Sequence, residues 1–332
     1  MINKMKILLE RPDSLEAPQT HGEGTGIAIT VEPSGSSLSQ HDQLAMGLAE
    51  LGHDVFYHVE HDKDTDYMEG VKLVDQLVEN IDIVHVKAPG DEELISYYTR
   101  KGIPVLATNH SLRLNIIPLC KWIHVSKNQA NSHNDEQYVW NGLNPENYMY
   151  SSDKKDYVLF MANISDHFGK GLDIALNLSK ELGFELLVAG SSKSQNNVDE
   201  VQQLCNAAGA KYIGDVRGLE KAKLFAEARA FLSPSRLQET FGLTLVEALF
   251  SGTPVICSTN GAYSEIMSKE VAFVCDTKED YINAFKNIET IKPSTCRSYA
   301  MNNFHYLKTT EKYLKIYTDI LMSEKKIKEL SF

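Results

Sequence analysis

The densest chemistry in this chain lies in the segment SPSRLQETFGLTLVEA, residues 233–248. Glu239 is expected in the loop after a strand, and Glu247 about one turn inside the helix that follows. Gly242, Leu243 and Thr244 open that helix with unpaired backbone N–H groups, an arrangement that attracts an anion. Glu247 stands in the otherwise apolar run LTLVEALF, where an ionised carboxylate costs on the order of several kcal/mol unless it is satisfied. A ligand hydroxyl such as a ribose would satisfy it. The alternative is a first-turn glutamate that favours the helix dipole.

Three further loops could meet the same ligand. Pro33-Ser34-Gly35-Ser36-Ser37 precedes a long helix, and Gly35 would let the backbone approach a phosphate, although Ser and Gly are also ordinary N-cap residues. Thr108-Asn109-His110-Ser111 ends an apolar strand. His110 there either orients a reacting sugar or phosphate or is a surface histidine. In NISDHFGKG, 163–171, Lys170 lies between glycines and either faces a diphosphate or is solvated. The segment is not a P-loop, since GxxxxGK[ST] is absent.

These loops need strands and helices to hold them. Met5–Glu10 reads as a buried strand. Leu44, Leu48 and Leu51 mark one face of a helix over Ser37–Leu51, closed by Gly52. Asp54–Val59 follows as a strand, Tyr67–Glu79 as a helix, and Ile81–Val86, Ile103–Thr108 and Trp122–Ser126 as strands. Residues 11–34 break the rhythm, and Gly26–Glu32 is an extra strand or a rival for the first. The turn-rich stretch Asn144–Asp156 reads as an interdomain linker.

The alternation then restarts. Strands are expected at Tyr157–Ala162, Glu185–Ala189, Lys211–Ile213, Ala230–Leu232, Pro254–Cys257 and Val271–Val274. Helices are expected at Gly171–Leu182, Val198–Ala208, Leu219–Ala228 and Thr244–Ser251, with a helical tail from Cys296 to Leu330. Strands alternating with helices give parallel sheets by right-handed crossovers. The expected fold is therefore α/β, two Rossmann-like doubly wound domains facing each other across a cleft. The expected boundaries are 1–150 and 151–304, with a helix at about 305–330 crossing back to the first domain.

Composition narrows the partners. The 332 residues are 42% hydrophobic and 23% charged, ordinary for a globular protein. No window approaches the ~20 apolar residues of a membrane span, and the N-terminus has too short an apolar stretch for a signal peptide. Five scattered cysteines fit a reducing, cytoplasmic setting. The histidines show no metal-ligand spacing, and His53, His58 and His61, loosely clustered around one strand, are expected to be structural. The net charge of −12 argues against nucleic acid or an anionic membrane as partner. Residues 1–156 hold 13 Lys and Arg against 24 Asp and Glu, whereas 157–332 hold 20 against 21.

The segment around Glu239 resembles the family-4 retaining glycosyltransferases (glycosyl transferases group 1) of the GT-B fold. Glu239 and Glu247 stand at the family's E-x7-E spacing within ETFGLTLVEALFSGTPVI. The stretches GDV…LEKAKLFAEARAFLSPS before it and GAYSEI after it are also similar. LAELGHDV, NGLNPENY and the tail CRSYAMNNFHYLKTTEKYLKIY extend the likeness over most of both domains except residues 11–32.

The resemblance implies roles. His110 would face the transferred sugar, Glu239 would hold its hydroxyls, and Lys170 would neutralise the diphosphate. Gly35 would lie by the donor phosphates, and Phe241, Gly242, Leu243 and Thr244 would offer backbone amides. Glu247 would bind the ribose, and Ser191 and Val216 would line the nucleotide pocket. One position departs from the family: Asn163 stands where many relatives carry an arginine, with Arg217 or Arg236 as candidate substitutes.

The implied reaction moves a hexose from a nucleotide diphosphate sugar, UDP-sugar by base rate, to the hydroxyl of a carbohydrate, lipid-linked or protein acceptor. It retains configuration and uses no metal cofactor, since no DxD is suited to a divalent cation on the diphosphate. No basic amphipathic helix supports peripheral membrane contact. The rival readings are a nucleotide-sugar epimerase of the GT-B fold and a catalytically weak sugar-binding subunit. A dehydrogenase is disfavoured because no GxGxxG follows the first strand.

Overall fold

The computed structural model describes residues 4–10, 36–58, 69–88, 90–112 and 120–330. The described chain divides into two units. The first comprises the described residues up to Asn144 and from Phe304 onward, and the second spans Pro145–Asn303.

The first unit begins with β1 (Lys6–Glu10), α1 (Ser36–Glu50), β2 (Asp54–His58), β3 (Val71–Val74) and β4 (Ile83–Lys87). It continues through α2 (Glu92–Arg100), β5 (Val105–Asn109), β6 (Lys121–His124) and α3 (Lys127–Ser132). The second holds β7 (Lys155–Met161), α4 (Leu172–Leu182), β8 (Glu185–Ala189), α5 (Gln195–Ala208), β9 (Lys211–Gly214) and α6 (Gly218–Glu227). β10 (Ala228–Ser233), α7 (Leu243–Phe250), β11 (Val255–Ser258), α8 (Tyr263–Ile266), β12 (Ala272–Cys275), α9 (Lys278–Asn287) and α10 (Pro293–Phe304) follow. Helix α11 (Tyr306–Leu330) returns to the first unit.

The two sheets run β3-β2-β1-β4-β5-β6 and β12-β11-β10-β7-β8-β9. Read from the other edge, the second order matches the first, and both are the doubly wound 3-2-1-4-5-6 arrangement. Every strand pairing is parallel. Parallel sheets are covered on both faces, and β1 shows why its run is continuously apolar. Ile7 and Leu9 pack with Leu44 and Leu48 of α1 and Tyr313, Leu314 and Tyr317 of α11. Leu8 turns to the opposite layer, against Leu94, Ile95 and Tyr98 of α2. Burying one such side chain contributes roughly 1.5–3 kcal/mol.

Two expectations are corrected. The helix expected over Tyr67–Glu79 is replaced by β3, in register with β2 from Val55–Val71 to His58–Val74. Its four-residue core VKLV is β-branched at both ends, and the sheet edge beside β2 outweighs a weak helical pattern. Positions 67 and 68 lie outside the described residues, as does the expected strand at Gly26–Glu32. Leu51, expected on the buried face of the first helix, falls beyond α1 and is exposed.

The stretch expected as a linker is built into the second unit. Tyr148 is buried, its ring stacked on Phe250 at 5.6 Å between centroids. Lys154 Nζ donates to Ala226 O (2.7 Å) and Thr253 Oγ1 (2.9 Å). The units therefore divide at Asn144, not at 150. A polar, turn-rich composition concealed these anchors, because an amine donating to backbone carbonyls leaves no periodicity to read.

No helix among the described residues is long and apolar enough to cross a membrane.

Candidate active site

Glu239 follows β10 in a loop whose backbone is closely constrained. Its carbonyl accepts from Ala262 N (2.9 Å), and a Cβ on Gly261 would approach Glu239 N and O to 2.3 Å. The carboxylate Oε1 accepts from Lys170 Nζ (2.8 Å) and Ser235 Oγ (2.7 Å). Lys170 ends the loop after β7, which is tied to the β10 loop by Arg236 N donating to Gly169 O (2.8 Å). Two loops distant in sequence thus hold one ion pair at the carboxyl ends of adjacent strands β7 and β10, where doubly wound sheets bind their ligands.

Helix α7 starts beside this pair. Gly242 has φ +112°, and a Cβ there would meet the Tyr263 ring at 2.5 Å, so only glycine fits. Leu245 N donates to Gly242 O (3.1 Å) as the first intrahelical bond, so the amides of Leu243 and Thr244 precede the ladder. Phe241 is buried. The Tyr263 hydroxyl bonds Ser233 Oγ at 2.9 Å. Burial, reinforced by the Glu239 carboxylate, pushes the Tyr263 phenol well above its ordinary range.

Glu247 is 3% exposed, yet it is satisfied without any ligand. Its Oε1 accepts from Lys221 Nζ of α6 (2.6 Å) and from Tyr148 Oη (3.3 Å). A protein ion pair, and not a ribose, therefore keeps this carboxylate tolerable. Sequence reasoning passed over Lys221 and Tyr148, since neither carries a spacing signal.

The candidate substitutes for the missing arginine are engaged. Arg236 forks onto Asp173 at 2.7 and 2.8 Å and lies over the Phe168 ring. Arg217 pairs with Asp215 at 2.8 Å. Asn163 is exposed and caps a short 3₁₀ turn, its Oδ1 accepting from Ser165 N (2.9 Å). The Ser191 carbonyl accepts from Ile164 N (3.1 Å), and Val216 is buried before α6.

His110 belongs to the first unit, just past β5. Burial, with His41 and Lys87 nearby, lowers its pKa to about 3, so the imidazole is neutral at physiological pH. Gly35 lies outside the described residues. So does His61, while His53 Nδ1 accepts from Met5 N (3.2 Å) in a structural role. Among the described residues no group of three or more His, Cys, Asp and Glu is placed to hold a metal ion.

Residues 150–303 match the profile of the family described as "Glycosyl transferases group 1". A protein of Klebsiella pneumoniae described as an uncharacterized 41.2 kDa protein in the cps region is 30% identical over 179 residues, 49% of this chain and 46% of its own. An uncharacterized glycosyltransferase of Methanocaldococcus jannaschii is 26% identical over 156 residues, 40% of this chain and 38% of its own. The chain thus matches less than half the length of these curated relatives.

Among solved structures, a glycosyltransferase involved in avilamycin A biosynthesis superposes with a TM-score of 0.75 at 23% identity, covering 96% of this chain and 98% of its own. The Anabaena protein Alr3699/HepE, solved in complex with UDP and glucose, superposes at 0.67 with 13% identity, covering 95% and 99%. At these identities the likeness speaks to fold. The E-x7-E segment and the family match coincide in the second unit. Residues 150–303 are thus similar to the glycosyl transferases group 1 family, and the chain has the GT-B fold of the solved glycosyltransferases.

Proposed function

We propose that the protein is a retaining glycosyltransferase that moves a hexose from a nucleotide diphosphate sugar to an acceptor hydroxyl, in glycan, polysaccharide or glycolipid synthesis in the cytoplasm. The observation that carries this reading is the Lys170–Glu239 pair beside the open N-terminus of α7. UDP-sugar is the favoured donor, supported by the UDP in the Anabaena relative.

In the proposed reaction the bond from C1 of the sugar to the β-phosphate oxygen breaks, and its electron pair stays on the diphosphate. The acceptor oxygen bonds to C1 on the same face and passes its proton to the leaving diphosphate. No strong protein base is needed. Negative charge developing on the diphosphate would be met by Lys170, which has three donors and spends one on Glu239, and by the Leu243 and Thr244 amides. Glu239 would hold sugar hydroxyls. Glu247, whose bonds converge on Oε1, would offer Oε2 to the ribose. His110, neutral, would hydrogen-bond the sugar without adding charge. These groups supply the positive field without a divalent cation, so the reaction should tolerate EDTA.

The test is product analysis with UDP-, GDP- and ADP-sugars and a panel of acceptor glycosides, followed by NMR of the anomeric centre. A product of unchanged anomeric configuration, formed in EDTA and reduced about 10²–10³-fold in Glu239→Gln, is expected. Inverted product, or free nucleotide with an epimerised sugar and no acceptor, would overturn the reading.

One observation favours a second reading, a sugar-binding subunit without turnover. Asn163 is uncharged, and both Arg217 and Arg236 are paired with aspartates. Donor binding with no product from any acceptor would establish it.

A further inference from the structure

Lys170 carries the charge that the proposed reaction needs, but its side chain is a flexible stem ending in a point charge. Where that charge sits depends on the backbone it springs from, and that backbone is a tight turn. Gly169 N donates to Asp166 Oδ1 (2.8 Å), Lys170 N to Asp166 O (2.9 Å) and Gly171 N to Phe168 O (3.0 Å). Gly171 has φ +78°, and a Cβ there would collide with Pro234 O, so the turn lies directly on the loop after β10.

Arg236 grips this turn from that loop. Its backbone N donates to Gly169 O (2.8 Å), its Nη1 donates to Phe168 O (2.8 Å), and its guanidinium lies 4.3 Å from the Phe168 ring centre. Phe168 is 62% exposed, so the guanidinium, and not a core, holds the ring. The fork on Asp173, in the first turn of α4, fixes the guanidinium plane, with Nη1 to Oδ1 at 2.7 Å and Nη2 to Oδ2 at 2.8 Å. One side chain thus joins the turn before Lys170, the helix after it and the loop that carries Glu239. The paired side chains are 38% and 40% exposed, and an ion pair so exposed contributes little to overall stability.

We propose that Arg236 is a positioning residue of the donor site: it clamps the Phe168–Lys170 turn and so holds the Lys170 ammonium where Glu239 and an incoming diphosphate can share it. This rests on the glycosyl-transfer reading and adds how the site works with Asn163 uncharged. The guanidinium is committed to Asp173 and the Phe168 carbonyl, so Arg236 acts through Lys170 and not on the diphosphate itself.

The test is calorimetry of UDP, GDP and ADP binding to the full chain, with Tm measured for every variant. The variants are Arg236→Ala, Arg236→Lys, Asp173→Ala, Lys170→Ala and the double Lys170→Ala/Arg236→Ala. For the nucleotide that binds best, Lys170→Ala should weaken binding about tenfold or more. Arg236→Ala should weaken it about three- to tenfold, the worth of one hydrogen bond misplaced, with little change in Tm. Arg236→Lys keeps the charge but loses the fork, so it should bind as weakly as Arg236→Ala. Asp173→Ala should also weaken binding. In the Lys170→Ala background the Arg236 substitution should add nothing, because its effect passes through the lysine. Additive loss in the double variant, full binding in Arg236→Lys, or tighter binding in Asp173→Ala would put Arg236 on the phosphate and overturn the proposal. Unchanged binding in Arg236→Ala, a Tm that falls along with the affinity, or no binding of any of the three nucleotides by wild type would also overturn it. The expected pattern without transfer to any acceptor leaves the clamp standing and removes the transfer reading, and transfer indifferent to Arg236 does the reverse.

Discussion

The two units share one strand order but manage buried polarity in opposite ways. In the second, each carboxylate of the E-x7-E segment is met by a lysine from another element, Glu239 by Lys170 and Glu247 by Lys221. In the first, the polar chain from Tyr317 through His85 and Thr108 to Tyr313 uses neutral groups only. Paired charges at strand ends can exchange a partner for an incoming anion. A neutral chain fixes geometry. One topology thus carries paired charges in one half and a neutral hydrogen-bond chain in the other.

The largest expected effect tests whether Glu247 is truly a compensated buried charge. Lys221→Met strands it beside the Tyr148 hydroxyl, and removing one partner of a buried pair costs about 3–5 kcal/mol. Denaturant unfolding of the second unit should shift accordingly, and adding Glu247→Gln should recover most of the loss. A small effect would mean that the Glu247 carboxyl is as neutral as the first unit's chain.

Next comes Lys170→Ala, expected to lower transfer about 10²–10³-fold with little change in Tm, because the lysine is partly exposed while its charge develops value in the transition state. Steady-state kinetics decide. A change confined to KM would reduce Lys170 to uniform donor binding.

In the first unit, Tyr317→Phe leaves His85 Nδ1 buried and unbonded, costing about 1–3 kcal/mol. A Tm loss is expected. An unaffected Tm would show that the chain is not a structural unit.

The last prediction is the smallest near neutrality and concerns pH. Burial holds His41 at about 4 and His85 well below its ordinary value. The unfolded chain, with ordinary histidine values near 6.5, therefore binds more protons, and stability falls as pH drops. That contribution is whole above about 6.5 and is lost toward 4 for His41. Among the described residues the second unit has no comparable buried histidine cluster. Hydrogen exchange during acidification should open the first unit before the second, and the reverse order would break the comparison.

The legibility of these features follows their physics. Strand–helix alternation, the E-x7-E spacing and the glycine at 242 are local patterns, so β7–β12 and the Glu239 loop were readable in advance. Lys221 and Tyr148 were not, because their partner lies in another element and the pairing is purely tertiary. His85 in the strand IVHVK and the tyrosines at 313 and 317, one turn apart on α11, carried a faint signal, polar groups in apolar runs. Nothing local says that they meet. β3 was misread because four residues at a sheet edge take their conformation from β2.

The most direct test is isothermal calorimetry of UDP-, GDP- and ADP-sugars against wild type, Lys170→Ala and Glu247→Ala. Saturable binding of one nucleotide sugar, weakened at least tenfold in both variants, is the result expected if the second unit is the donor site. Absence of binding by all three, or binding indifferent to both substitutions, would contradict it.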